Sequence, residues 1–389
     1  MKHYYADLHI HIGRTHLGKP VKITGSKSLT IDAIIHTASN IKGLDLIGVI
    51  DCHVPEIIRE IEMKIQKEEG FEREDGGLQF GRLTFLLGSE IEIYDENCKG
   101  PIHVLVFLPT LESMKQFSKW LSCRMKNIHL SSQRLYESGK QLQREIDKLG
   151  GLFIPAHIFT PFKSLYGKGV ESSLYEVFDP AFIDAVELGL SSNAQMADQI
   201  KELHRYAYVT NSDAHSLKTI AREYQKIKMK TPSFHEIKLA LHNKDGRKIE
   251  SNFGLEPRLG KYYRTACQHC YAKKAAGETA CVRCGRTKWV KGVYERLQQL
   301  KNTDAPRTRR PPYIEQIPLE CIPGIGAKTL KKLSSAFGTE MNILHEATFK
   351  QLLDAVPENI AKKIIDAREG NIKILEGGGG RYGKLLWLK

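Results

Sequence analysis

The stretch YADLHIHIGRTH, beginning at Tyr5, places three histidines and an aspartate at the end of an apolar run. Tyr5, Leu8, Ile10 and Ile12 give it the character of a β-segment, and His9 and His11, two apart, leave the same face. A lone strand histidine is more often a hydrogen-bonded interior residue than a ligand. A pair can grip one cation, provided other segments bring more ligands.

Other segments do. Asp51 and His53 stand in IDCH, Glu90 in GSEIEI, His103 in IHVLVFL, His157 in PAH, and Asp213 and His215 in NSDAH, each at or near an apolar run. Imidazoles and carboxylates together suit two or three divalent ions such as zinc, manganese or magnesium, which activate water for attack on phosphorus. The expected arrangement has His9, His11, Glu90 and Asp213 on one ion and Glu90 bridging to a second held by His103 and His157. Asp51 or His53, with His16 and His215, is expected on a third. Asp7 is expected to support His9 or His11 from behind.

A second constellation is CQHC and CVRC, which set Cys267, Cys270, Cys281 and Cys284 in two pairs with a ten-residue spacer. Two such knuckles converge on a tetrahedron, the usual structural zinc site. The net charge of +13 is concentrated here: residues 253–310 carry 14 basic and 4 acidic residues, whereas residues 1–252 are nearly neutral. A basic patch beside a neutral body points to a polyanionic partner. Lys261, Arg264, Lys273 and Arg283 alternate with tyrosines and Trp289, a composition that neutralises phosphates and stacks on bases.

A third is CIPGIGAKTLKKL, in which Gly324 and Gly326 flank a turn before a helix and Lys328 adds charge. Free N–H groups at a helix start fit a phosphate. IPGIGAKTL recurs 34 residues later as VPENIAKKI without the glycines, so one binding turn and one packing turn are expected. The P-loop spacing fails at GLEPRLGKY, which argues against a nucleotide cofactor.

Elements must hold these residues. Strand patterns at 4–11, 45–51, 83–94, 102–108, 152–158, 184–190 and 206–210 alternate with helical ones near 30–42, 55–69, 111–124, 131–149 and 193–204. That order predicts an α/β architecture, a mostly parallel sheet or barrel with the strand carboxyl ends at one rim. Four units are expected: a metal-binding barrel at 1–245, a basic four-cysteine module at 246–303, a linker at 304–316, and an all-α region at 317–389. No membrane span or signal segment is evident, so a cytoplasmic, nucleoid-associated protein is expected.

DLHIH, IDCH, GSEIEI, PAH and SDAH, in this order, resemble the polymerase-and-histidinol-phosphatase (PHP) metallophosphoesterases. The resemblance implies a distorted (β/α)7 PHP barrel with up to three metal ions at its rim. One departure is Cys52, inserted where that family has a contiguous Asp-His. CIPGIGAKTL resembles a helix-hairpin-helix, a sequence-indifferent binder of DNA backbones. The whole order of barrel, four-cysteine knuckle and hairpins is similar to the endonuclease Q family. That likeness implies nicking on the 5′ side of deaminated bases (hypoxanthine, uracil, xanthine) and of abasic sites, with the damaged nucleotide flipped into a pocket. Phe162 and Tyr166, in the loop after the fifth strand, are candidates to line that pocket. DNA carrying such lesions is the implied partner, and a sliding clamp is kept as a candidate protein partner. A PHP-type exonuclease and a histidinol-phosphate-type phosphatase are the alternatives.

Overall fold

The computed structural model describes residues 1–305, 309–369 and 373–386. Seven short apolar segments build a barrel: β1 (Lys2–Ile10), β2 (Leu46–Val49), β3 (Leu83–Ile93), β4 (Ile102–Leu108), β5 (Leu152–Pro155), β6 (Ala185–Glu187) and β7 (Ala207–Val209). β1, β2 and β3 pair in parallel. β6 joins β5 through Asp184 N donating to Phe153 O and Ile158 N to Glu187 O, and pairs in parallel with β7. The ring closes just past β7, where Ala214 N donates to His9 O at 3.0 Å and His11 N to Ala214 O at 3.1 Å.

The expected rim of carboxyl ends needs one correction. β4 runs antiparallel to both β3 and β5. His103 therefore reaches the rim from the amino end of its strand, opposite Glu92. An apolar run such as IHVLVFL reads the same in either direction, so its polarity is not legible in the sequence.

Alternation sorts the side chains. Ala6, Leu46, Leu86, Leu105, Ile154, Ala185 and Val209, drawn from all seven strands, meet in one inner cluster. Leu8 belongs to it as well. Its neighbour His9 also faces the rim, which the register shift between Asp7 and Ile10 permits. Outside, the helix Pro55–Gln66 buries Ile57, Ile58 and Ile61, and the helix Gly139–Lys148 buries Leu142 and Ile146. The latter was expected from 131. It starts at Gly139 because Ser138 caps it by accepting from Gln141 N.

The barrel's sheet extends past the expected boundary at 245. Tyr224–Met229 pairs with β1, Lys248–Gly254 pairs with Tyr224–Met229, and Tyr313–Glu315 adds in parallel at the edge. Part of the expected linker is thus a strand, and its Pro306, Arg307 and Thr308 lie outside the described residues.

Beyond it come the helices Ala327–Phe337, Glu340–His345, Phe349–Ala355 and Glu358–Glu369. Gly324 has φ +96° in the first hairpin turn, and Lys363 Nζ from the second copy donates to Pro323 O at 3.2 Å. This helical unit rests on the barrel: His345 stacks on Tyr5 at 4.7 Å, and Lys42 pairs with Glu340 at 2.8 Å. A hairpin of Lys373–Leu375 and Lys384–Leu386, unforeseen in the sequence, follows the helices. Among the described residues, no helix is long and apolar enough to cross a membrane.

Candidate functional site

Glu90, in the last third of β3, is the hub of the rim. Its Oε1 lies 3.6 Å from His9 Nε2, 2.7 Å from His103 Nδ1 and 3.5 Å from His157 Nε2, and its Oε2 lies 3.7 Å from His11 Nε2. Asp213 Oδ1 completes the circle at 3.4 Å from His9 Nε2, 3.6 Å from His11 Nε2 and 3.4 Å from His215 Nδ1. Both His157 and Asp213 sit at positive φ, 31° and 46°, an uncommon conformation that recurs at functional sites.

Two carboxylates aim the first pair of imidazoles. Asp51 faces His11 Nδ1 at 3.1 Å and also accepts from Ile12 N at 2.7 Å. Glu187 faces His9 Nδ1 at 2.9 Å and is itself held by Asn211 Nδ2 and His157 N, each at 2.8 Å. Each imidazole therefore turns its Nε2 toward Glu90 and Asp213. Asp51 thus orients a histidine, where it was a candidate ligand. Glu187 was missed in the sequence, and its one signal is a lone acid within the apolar run DAVELGL.

Electrostatics follow from this crowd. Burial disfavours the charged form of His9, but Glu187, Asp213 and Glu90 outweigh it and raise its pKa to about 10. His11 is pushed down to about 4 by burial and by Lys22, against Asp51. Burial alone would raise Glu90, yet His103 and Lys22 hold it well below the usual carboxylate range. Lys22, also unforeseen, lies with its Nζ 3.0 Å from Glu90 Oε2.

The residues fit metal ions. His9 Nε2, His11 Nε2 and His103 Nε2 are buried with no hydrogen-bond partner. Among the described residues, ligand atoms of His9, His11 and Glu90, of His11, Asp213 and His215, and of Glu90, His103 and His157 each fall within 4.8 Å of one another. Orphaned imidazole nitrogens facing carboxylates are a donor set for divalent cations.

Two expected ligands stand elsewhere. His16 turns outward to Glu60 at 2.7 Å, with its side chain 45% exposed. His53 is buried and outside these groups, its pKa pushed down to about 4 by burial. Asp7 is buried behind the rim, where it accepts from Ser212 N and Ala221 N at 3.0 Å and from His9 N at 3.3 Å, whereas the carboxylates facing the His9 and His11 rings are Glu187 and Asp51.

The rim opens into a cleft of about 750 Å³, walled by Phe162, Tyr262, Lys261, Arg222 and Tyr382 on one side and by Lys22, Ile23 and Ser131–Gln133 on another. Phe162 is 52% exposed and meets Tyr262 edge-on at 5.4 Å. Tyr166 does not join it: the ring is fully buried and its hydroxyl donates to Glu202 at 2.7 Å.

In the basic module, Sγ atoms of Cys267 and Cys284 are 3.6 Å apart and those of Cys270 and Cys281 3.5 Å. All four lie within 4.8 Å of one another. Tetrahedral zinc–thiolate bonds imply edges of about 3.8 Å, so the four fit zinc. Arg283 is exposed, and Lys261 lies half-buried over the rings of Tyr262 and Tyr382. Arg264 and Lys273, expected to face phosphates, instead pair with Glu295 at 2.7 Å and Glu376 at 3.1 Å respectively. In the hairpin unit, Gly326 is the N-cap of Ala327–Phe337 with no side-chain cap, and Lys328 is exposed beside it.

No protein-family model matches the sequence. The chain is 57% identical over 385 residues to a Bacillus subtilis protein, YqxK, spanning 99% of this chain and all of that one. It is 37% identical over 251 residues to MJ0043 of Methanocaldococcus jannaschii, of which it covers 31%. Among solved structures, the lesion-specific endonuclease PfuEndoQ of Pyrococcus furiosus superposes with a TM-score of 0.86 at 33% identity, over 99% of this chain and 95% of that one. An endonuclease Q bound to a 27-mer duplex with an abasic lesion at its active site gives the same score at 32% identity, over 100% and 97%. Agreement of this extent takes in the barrel, the four-cysteine module and the hairpins at once, and the chain belongs to the endonuclease Q family.

Proposed function

We propose that this chain is a metal-dependent DNA repair endonuclease that cuts one strand on the 5′ side of a damaged nucleotide, abasic sites and deaminated bases included. The observation that carries the reading is the full-length likeness to an endonuclease Q captured with an abasic lesion at its active site. The Glu90-centred rim supplies the matching chemistry. His9, His11, Glu90, His103, His157, Asp213 and His215 would hold two or three divalent ions, which would lower the pKa of water and offset charge on the phosphate.

The chain's own groups do the rest. Asp51 and Glu187 keep two imidazoles pointed at the ion sites, and Lys22 brings a positive charge to Glu90 from the cleft wall. The basic module, through Lys261 and Arg283, and the hairpin turn at Gly324, Gly326 and Lys328 hold the DNA backbone. Cys267, Cys270, Cys281 and Cys284 fold the module around one zinc. The site of action is chromosomal DNA in the cytoplasm.

The test is a denaturing gel with end-labelled duplex bearing one abasic site, deoxyuridine or deoxyinosine, beside undamaged DNA, with several divalent metals. A discrete band ending just 5′ of the lesion, lost with chelator, is expected. A ladder from one end would replace the reading with an exonuclease, and intact DNA alongside phosphate release from small esters would replace it with a phosphatase.

A further inference from the structure

The cleft wall includes a residue contributed from far along the chain. Between Lys373–Leu375 and Lys384–Leu386 runs EGGGGRYG, which lies flat on Arg258–Arg264. Gly377 N donates to Arg258 O at 2.7 Å, Gly380 N to Lys261 O at 2.8 Å, and Gly383 N to Leu259 O at 2.9 Å. The contact is too close for side chains: a Cβ on Gly377 would meet Gly260 O at 2.5 Å, and one on Gly383 would meet Arg258 O at 2.8 Å. Glu376 fastens the strap from the other end, accepting from Lys273 and Arg264.

The strap delivers Tyr382 to the cleft. Tyr382 is 49% exposed, so its burial is not what holds the strap down. Arg222 donates to the Tyr382 hydroxyl at 3.3 Å, while its other nitrogens donate to Ser212 O at 2.7 Å and Asp213 O at 3.4 Å. One guanidinium thus joins the ring to the loop that carries Asp213. Lys261 Nζ lies over both Tyr262 and Tyr382, 5.1 and 5.9 Å from their centroids. A half-exposed aromatic residue is pre-positioned beside the metal-binding rim, and among the described residues no other ring stacks on it, a setting that favours stacking on another π-face.

We propose that Tyr382 is a specificity-determining residue whose ring stacks on the base of the nucleotide drawn into the cleft, the strap serving to hold it there. This rests on the lesion-endonuclease reading. Stacking requires a base, so the residue distinguishes base-bearing lesions from abasic ones.

The experiment compares full-length wild type with Tyr382→Ala, Tyr382→Leu and Tyr382→Phe on duplexes carrying deoxyuridine, deoxyinosine or a base-less tetrahydrofuran residue, with melting temperatures measured alongside. Expected for the Ala and Leu variants is a loss of about tenfold or more in kcat/KM on the two base-bearing lesions. On tetrahydrofuran they stay within about threefold of wild type, and Phe stays within about twofold throughout. Equal losses on all three substrates would reduce Tyr382 to a support for the strap and overturn the proposal, as would no loss on any. Wild type that cuts tetrahydrofuran but no base-bearing lesion would overturn it and leave the endonuclease reading standing. Wild type that cuts none of them would remove that reading, and this proposal with it.

Discussion

Asp51 and Glu187 perform the same task on neighbouring imidazoles, and only the first stood out in the sequence, because it followed the strand in a recognisable IDCH while Glu187 was enclosed by apolar residues. Replacing Glu187 by Gln is expected to lower metal affinity about 10- to 100-fold, read by metal titration. Unchanged affinity would remove Glu187 from that role. Asp213→Asn is expected to abolish cleavage while damaged-duplex affinity, read by fluorescence anisotropy in chelator, stays within a few-fold. Retained turnover would exclude Asp213 from the reacting centre. Glu223, buried next to the cleft-wall residue Arg222, offers a stability test. Burial raises its pKa from 4.5 to about 8, despite a hydrogen bond from Leu255 N and the charge of Arg222. The folded chain then keeps a proton that the unfolded chain releases, so this residue's contribution to stability falls as pH rises from about 4.5 to 8. Glu223→Gln should therefore gain several degrees on wild type at pH 8 relative to pH 5 in thermal melts, and parallel melting curves at both pH values would refute the assignment.

Among the elements, strand positions were legible because short apolar runs bounded by polar turns have few alternatives. Directions and caps were less so. The sheet could not be read as mixed, because β4 carries no mark of its reversal. Ser131–Gln133 was expected in a helix, whereas it forms cleft wall: a serine-rich stretch hydrogen-bonds locally and defers the helix to the cap at Ser138. His16 and Tyr166 were misjudged because a side chain's direction in a loop depends on partners, here Glu60 and Glu202, that sequence spacing does not reveal. The first hairpin turn can be tested as a unit. Gly324 at φ +96° lies against Ile360, and a Cβ there would meet Ile360 Cδ1 at 2.4 Å. Gly324→Val should weaken binding to every duplex alike and flatten the salt dependence of affinity, measured across about 50–200 mM salt. Equal affinity and slope would argue that this turn only packs. In the knuckle, Cys267→Ser should release one zinc per chain, counted by atomic emission, and an undiminished count would rule out the four-thiolate site.

At the scale of the molecule, the four expected units interleave across their boundaries. Lys248–Gly254 extends the barrel's sheet, Tyr313–Glu315 covers the edge of that strand, and Arg296 donates to the carbonyl of Tyr166 at 2.7 Å. A fragment ending at residue 303 would leave that edge unpaired, a known route to aggregation. Such a fragment should show a lower urea midpoint and poorer solubility than the full chain, read by equilibrium unfolding and light scattering, and a fragment as stable as the parent would restore the modular picture. The strap has a consequence in time as well as in space. Tyr382 follows His215 by 167 residues, so every rim histidine is synthesised well before the ring that walls the cleft. At ordinary translation speeds the interval is roughly ten to thirty seconds. During it, a nascent barrel can gather metal ions while its cleft still lacks the Tyr382 portion of one wall.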